Sequence, residues 1–283
     1  MTEIDPQNAG HKLRELNGLL ASHSPFVLAF SGGVDSRFIA HTAWRAKVKF
    51  TAVHIRGPHV PHSETEFALA WLGKKMIPFV ETAFDPLGIA AVAEGSRQRC
   101  YACKREMFSF IAALAKGNSI LEGSNASDLE KFRPGLKALE ELGVISPLAL
   151  TNISKPEIRY LARESGMDFP DQPSRPCLFT RFDYGMRPSP GLLQKLENAE
   201  EEIARLGFKN FRLRLLQDDK PLLQVDWPEA QMLEAKKKIL HEKLSFLGFP
   251  EVRMQAEIKL SGYFDQKEKS EEDEELKLLH SLF

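Results

Sequence analysis

A chain of 283 residues has room for one large domain or two modest ones, with length enough to bury a core. Its 38 Lys and Arg stand against 39 Asp and Glu, a balance that gives no support to a basic nucleic-acid footprint or a polybasic membrane surface, so any role on RNA needs a local patch. The opening MTEIDPQNAGHKLREL lacks the charged-then-apolar order of a signal peptide, and no apolar run reaches the about eighteen residues of a membrane span; a soluble cytoplasmic protein with no membrane partner is expected.

In chain order, His11 to Ala21 carries Leu13, Leu16, Leu19 and Leu20 at helical spacing. Phe26 to Phe30 is a short continuous apolar run that reads as a strand buried on both faces. After the turn SGGVDS, helical periodicity resumes from Arg37 to Ala46. Val48 to Ile55 reads as a second strand, Ser63 to Lys75 as a second helix and Ile77 to Phe84 as a third strand. Lys104 to Lys116 is a further helix, and Ser119 to Gly123 a fourth strand entering the loop SNASD. Ser154-Lys-Pro-Glu157 matches a capping box that starts a helix ending near Gly166. This alternation predicts an α/β domain with a parallel sheet covered on both sides.

The proline-rich stretch MDFPDQPSRPC, which contains Asp171, stops regular structure, and the domain boundary is expected between it and Pro190. Beyond it a helix from Leu192 to Leu206, strands FRLRLL and LLQVDW, a helix from Pro228 to Leu247 and a strand EVRMQAEIKL make a smaller α+β unit. The resulting division is 1–180, 181–264 and a charged tail 265–283, in which DQKEKSEEDEE is expected to stay solvated while LKLLHSLF could dock as a helix.

The turn Ser31–Ser36 carries the strongest chemical signal. A strand that ends in Gly-Gly and opens a helix aims backbone N–H groups and the positive end of the helix dipole at whatever sits above it, which makes an anion site. Gly32 and Gly33 permit the dihedrals and the close approach, Ser31 and Ser36 add hydroxyl donors, and Asp35 is suited to hold the loop or to meet Mg2+. A Walker A loop would carry a lysine for the terminal phosphates; here Arg37 follows Ser36, in the wrong position. That absence suggests a loop cradling the β and γ phosphates as a departing unit, so that AMP passes to the acceptor. The plain alternative is a tight turn that binds nothing, against which six matching positions in the required context weigh.

Cys100, Cys103 and Cys177 cannot all pair within one chain, and a reducing compartment argues for a chemical use. Cys100 and Cys103 open a predicted helix, where its dipole and Arg99, Lys104 and Arg105 are expected to favour thiolates. A redox pair, half a zinc site, an iron–sulfur anchor and two ordinary buried thiols all fit that spacing; three thiolates also suit a cubane cluster with one iron open to sulfide. His54, His59 and His62 have irregular spacing and read as incidental polar residues rather than a metal set.

In its strand–turn–helix context SGGVDS resembles the PP-loop signature Ser-Gly-Gly-x-Asp-Ser of the ATP pyrophosphatases, which include asparagine, GMP and NAD synthetases and several thiolation enzymes. The resemblance implies a Rossmann-like fold of the adenine nucleotide alpha hydrolase kind, ATP and Mg2+ as cofactors, and adenylation of a carbonyl or carboxylate. It assigns Ser31, Gly32, Gly33, Asp35 and Ser36 to the phosphates, with Asp35 and Ser36 catalytic, brings Thr51 to His54 toward the adenosine, and lines the nucleotide with Gly123 and Asn125.

RCYACKREMF, GSNASD, RPGLKALEELGVISPL, KPEIRYLARESG, PSRPCLFTRFDYG and FRLRLL extend the similarity to the LarE group of these enzymes, over roughly Ala29 to Trp227. What that implies is thiolation of the two carboxylates of a pyridinium biscarboxylate mononucleotide, on the route to the nickel-pincer cofactor of lactate racemase. It also implies a sulfide donor, other proteins of that route as partners, no nucleic acid, and a homo-oligomer, a hexamer by resemblance. Cys177 would take part in sulfur supply. In one branch a cysteine at this position is sacrificed to dehydroalanine; in another, three cysteines hold a 4Fe-4S cluster. With Cys100, Cys103 and Cys177 all present the cluster branch is expected, and sacrifice of Cys177 stays open.

Alternation in FRLRLL sends Phe211, Leu213 and Leu215 to one face and Arg212 and Arg214 to the other, where two guanidinium forks could grip a phosphate; an exposed face with two solvated arginines fits the spacing as well. Resemblance favours the functional reading and adds Arg181 and Glu200 as substrate-binding residues, although Glu200 is one acid among Glu197, Glu201 and Glu202. A tRNA-thiolating enzyme and a nucleotide or iron–sulfur sensor without turnover are the rival readings.

Overall fold

The structure, a computed structural model, describes residues 4–129, 134–217 and 220–265; apart from Asp265, the charged tail lies outside the described residues. The chain divides into two compact units, Met1–Ala93 with Gln98–Cys177, and Glu94–Arg97 with Leu178–Phe283. Among the described residues no helix is long and apolar enough to cross a membrane.

The first unit runs α1 (Pro6–Ser22), β1 (Phe26–Ala29), α2 (Val34–Arg45), β2 (Phe50–Arg56), α3 (His62–Lys74), β3 (Phe79–Ala83), a 3-10 turn (Pro86–Gly88), α4 (Ala90–Ala93), α5 (Arg99–Ala115), β4 (Ser119–Leu121), α6 (Ala126–Leu129), α7 (Pro134–Glu141), α8 (Pro147–Leu150) and α9 (Lys155–Glu164). Its sheet has the order β3-β2-β1-β4 with every pair parallel, as the strand–helix alternation predicts, and is Rossmann-like, as the PP-loop resemblance implies. Period-2 alternation splits its side chains between two cores. Phe26, Leu28, Phe50 and Ala52 pack with Leu16, Phe38 and Ile158 in one cluster. Val27, Val53 and Ile55 pack with Phe108 and Ile111 in the other. Burial on both faces is why β1 reads as an unbroken apolar run.

Helix ends explain where periodicity alone misplaces a boundary. α1 begins at Pro6, five residues before the expected start at His11, because the Asp5 side chain accepts from the Gln7 N–H at 2.9 Å and Pro6 occupies the first turn. α2 begins at Val34 with Gly33 as its N-cap, so Val34, Asp35 and Ser36 form its first turn rather than preceding it. The capping box at α9 is formed, with Ser154 N–H donating to Glu157 Oε2 at 2.8 Å.

From β1 the chain moves outward through β2 and β3 and returns on the other side as β4. The carboxyl ends of β1 and β4 therefore flank the point where strand order reverses, the place where open α/β sheets receive ligands. β1 is followed by the Gly-Gly turn and β4 by Gly123, Ser124 and Asn125.

The second unit contains a 3-10 turn (Leu178–Arg181), α10 (Pro190–Arg205), β5 (Phe211–Arg214), β6 (Leu222–Asp226), a 3-10 turn (Trp227–Glu229), α11 (Ala230–Phe246) and β7 (Arg253–Glu257). Its sheet has the order β5-β6-β7, antiparallel and then parallel, with α11 as the crossover. β5 is buried along its whole length on both faces, so Arg212 and Arg214 do not lie on a solvated strand face.

Candidate active site

Gly32 has φ +81°, and a Cβ there would stand 2.7 Å from the Ala68 Cβ of α3, so both backbone and space require glycine. Within the turn the Ser31 and Ser36 hydroxyls are 3.2 Å apart, Ser36 Oγ donates to the Gly33 carbonyl at 3.1 Å, and the Gly33 N–H points to Ser31 Oγ at 3.4 Å. Gly123 closes the other side, since a Cβ on it would be 3.1 Å from Ser36 N and 3.3 Å from Asp35 Cβ. The structure thus brings Ser31, Gly32, Gly33, Asp35, Ser36 and Gly123 into one cradle.

Asn125 shapes the loop after β4: its side-chain oxygen accepts from the Ser127 N–H at 3.0 Å, and its own N–H donates to Asp128 Oδ2 at 3.2 Å. Beside it the buried Glu122 accepts from the Ser124 N–H at 2.8 Å and from the Ser124 and Ser146 hydroxyls at 2.9 and 2.5 Å.

The lysine that the turn itself lacks arrives from far along the chain. Lys155 Nζ donates to Asp35 Oδ1 at 2.8 Å and to Oδ2 at 2.6 Å, with side-chain exposures of 30% and 23%. Burial raises the Asp35 carboxyl above its ordinary value; Lys155 opposes that shift, and Asp128 and Glu122 add to it. A half-buried ammonium at a strand-end anion cradle suits a phosphate group in the way a P-loop lysine does, though it reaches the site by tertiary packing. Sequence reasoning missed Lys155. A local signal exists: it occupies the first position of α9, where a cation opposes the helix dipole, and such a misfit often marks function.

His54, expected near the adenosine, is 1% exposed, with Nδ1 2.9 Å from the Phe30 carbonyl and Nε2 3.1 Å from Thr65 Oγ1. Burial lowers its pKa, so a neutral ring holds the end of β1 to α3. Arg37 is fully buried.

Cys100 is exposed, and Cys103 and Cys177 are half-buried. Cys100 and Cys103 lie in the first turns of α5, as expected from their position. The expected activation is corrected for Cys103: burial, and then Cys100, push its thiol up to about 12, outweighing Lys104. Among the described residues no group of three or more His, Cys, Asp or Glu side chains is placed to hold a metal ion, which includes the three cysteines expected to ligate a cluster.

In the second unit Arg181 Nε and Nη2 form a two-pronged bond to Glu200 at 2.7 and 2.8 Å, and the Leu213 N–H adds a third donor to that carboxylate at 3.0 Å. Burial alone would raise the Glu200 pKa, yet Arg181, Leu213 and Arg212 together hold it below its ordinary value. Arg214 donates to Gln224, to the Leu260 carbonyl and, at 3.2 Å, to the Thr180 carbonyl. Its guanidinium stacks 4.8 Å from the Tyr263 ring centre. Burial, and then repulsion from Arg181, lower the Arg214 pKa to about 10. Arg181, Arg212 and Arg214 are all at least nine-tenths buried, and Glu200 is their close carboxylate. Three buried guanidiniums thus converge near the Glu200 carboxylate.

No family model matches the chain. It is 33% identical over 231 residues to the uncharacterized protein slr1717 of Synechocystis, covering 78% of this chain and 83% of that one. It is 26% identical over 211 residues to the pyridinium-3,5-bisthiocarboxylic acid mononucleotide synthase of Lactiplantibacillus plantarum, covering 73% and 75% of the two chains. It is 28% identical over 245 residues to a tRNA(Ile)-lysidine synthase of Salmonella dublin, covering 80% of this chain but 49% of that enzyme. With the Gly-Gly turn at the switch point of a parallel sheet, these similarities make the chain a member of the Synechocystis protein's family, within the PP-loop ATP pyrophosphatase superfamily of ATP-utilising enzymes.

Proposed function

We propose that this enzyme is an AMP- and pyrophosphate-forming sulfur transferase that converts a carboxylate of pyridinium-3,5-biscarboxylate mononucleotide to a thiocarboxylate, in the cytoplasm and on the route to the nickel-pincer cofactor. The observation that carries the reading is the cradle of Ser31–Ser36 against Gly123 at the switch point, with Lys155 on Asp35. A carboxylate oxygen attacks the α-phosphorus of ATP, the bond to the β-phosphate breaks, and pyrophosphate leaves onto the turn's N–H groups and Lys155. Mg2+, held with help from Asp35, would neutralise charge on the departing phosphates. In this reading those donors would meet the developing negative charge, which is where preorganised dipoles accelerate a reaction most.

The sulfur is assigned to Cys177. Its thiolate attacks the acyl carbon and expels AMP, giving a thioester; loss of the Cys177 Cα proton to a base with cleavage of the Cβ–Sγ bond then releases the thiocarboxylate and leaves dehydroalanine, with no net redox change. Arg181, Arg212, Arg214 and Glu200 are assigned to the substrate's phosphate, supported by the convergence of three buried guanidiniums.

The test is a pyrophosphate-release assay across candidate acceptors, with the protein's mass measured after turnover. Release with the pyridinium substrate, thiolated product, and a single loss of hydrogen sulfide mass at Cys177 support the reading; Cys177→Ala is expected to abolish thiolated product while pyrophosphate release persists. ADP formation would refute it. Stoichiometric iron and labile sulfide in anaerobically purified protein, with Cys177 intact, would move the sulfur source to a cluster. Release only with tRNA would favour the lysidine-synthase-like reading, which the similarity over 80% of the chain keeps in the panel.

A further inference from the structure

Arg37 is the residue that the signature places where a phosphate-binding lysine does not belong, and it is fully buried. Its side chain turns back under the N-terminus of α2, as helical side chains do. There Nε donates to the Gly32 carbonyl at 3.0 Å. The other guanidinium nitrogens leave the turn: Nη1 donates to the Asp168 carbonyl at 2.5 Å, and Nη2 to the Phe169 carbonyl at 3.0 Å and to Gln172 Oε1 at 2.5 Å. The group stacks 5.2 Å from the Phe67 ring centre, and burial lowers its pKa only to about 10, so it stays charged at neutral pH.

A peptide bond is planar and trans, so its C=O and N–H point in opposite directions. Capture of the Gly32 oxygen by the buried Arg37 therefore turns the Gly33 N–H the other way, to the side where Ser31 Oγ lies. Between two glycines this peptide has little steric resistance to flipping, and a flip would aim a carbonyl dipole at the anion site.

The far end of the clamp is the segment that leads to Cys177. Phe169 has φ +52°, a left-handed conformation unfavourable for a non-glycine residue, and its carbonyl is one of the oxygens Arg37 holds. Gln172 continues to Glu64 Oε2 at 3.4 Å, and Glu64 Oε1 lies 3.5 Å from Arg175 Nε, two residues before Cys177.

We propose that Arg37 is a positioning residue: one buried guanidinium fixes the Gly32–Gly33 peptide with its N–H toward the nucleotide and ties it to the 168–175 segment, so that the anion cradle and the thiol-bearing segment become ordered together. The inference rests on the adenylating reading of the same turn, but its test does not require turnover.

The experiment is hydrogen–deuterium exchange of the full chain with and without Mg2+·ATP, alongside pyrophosphate release, for wild type, Arg37→Lys and Gln172→Ala. In wild type, ATP is expected to slow exchange in residues 30–36 and in 165–177 together. Arg37→Lys keeps the charge but not the fork. It is expected to lose both protections, to weaken ATP binding about tenfold, the order of one charge-assisted hydrogen bond, and to lower kcat for pyrophosphate release about 100-fold with a smaller change in KM. Gln172→Ala leaves the bond to Gly32 in place and is expected to lose the 165–177 protection with a milder loss of rate. Should Arg37→Lys fail to fold, Gln172→Ala decides: retained protection in 165–177 overturns the coupling. Wild-type kcat in a folded Arg37→Lys protein, or ATP protection confined to 30–36, overturns the proposal. Wild-type protein that releases no pyrophosphate would refute the adenylating function, while the paired protections would still report on the clamp.

Discussion

The turn of the first unit and the arginine cluster of the second are two ways of building a receiver for negative charge. The turn works with backbone N–H groups, which carry only partial charges and cost little to desolvate; its full charges, Asp35 and Lys155, sit paired and half-buried. The cluster buries whole guanidiniums, a costly arrangement that holds because Glu200 and nearby oxygens satisfy the donors. The difference teaches where sequence information resides. A backbone device is made by consecutive residues, whereas a charge cluster draws on a 3-10 turn, α10 and β5, whose meeting no local pattern announces.

The comparison breaks most decisively at Lys155. If a side-chain cation is needed to complete the backbone cradle, Lys155→Ala and Asp35→Asn each lower pyrophosphate release about 100- to 1,000-fold, the cost of one preorganised donor, with little change in thermal stability. Unchanged rates would mean that the N–H groups of the turn suffice alone. Glu200→Gln probes the opposite design: removing the charge takes away the ionised two-pronged partner of buried Arg181 and is expected to cost about 3 kcal/mol in urea unfolding. The pH dependence follows from sign. The folded-state pKa of Glu200 is depressed, so its contribution is present above the unfolded value near 4.5 and is lost as pH falls through the lower folded one. Denaturant midpoints measured from neutral to acid pH should fall less steeply in Glu200→Gln than in wild type, and parallel curves would remove Glu200 from the balance. Gly32→Ala is expected to cost less than Glu200→Gln, about 1–2 kcal/mol for its left-handed backbone, together with weaker ATP binding as the Ala68 contact displaces the turn. A variant with wild-type stability and affinity would show that the turn tolerates a side chain.

The candidate site was legible where its parts are contiguous. Ser31–Ser36 lies between an apolar run and a helical stripe, so both chemistry and context appear in one stretch, and Ser154 with Glu157 announces the start of α9 in the same way. What escaped notice was whatever needed a distant neighbour. The histidine at position 54 is a polar residue in a strand until packing gives each nitrogen an acceptor or donor inside the fold. The Cys103 thiol stands beside cations in sequence, yet burial in the helix outweighs them. Lys155 lies 120 residues from the carboxylate it holds.

By itself, then, the order of residues determined the alternation of strands and helices, the anion-facing turn and the capped start of α9, because each arises from hydrogen bonds and periodicities spanning a few positions. Only the tertiary structure decided which lysine serves that turn, that Arg37 faces inward as a strut, and that Arg181, Arg212 and Arg214 converge with Glu200. Burial and charge pairing depend on distances through space, and those are set when remote segments pack together.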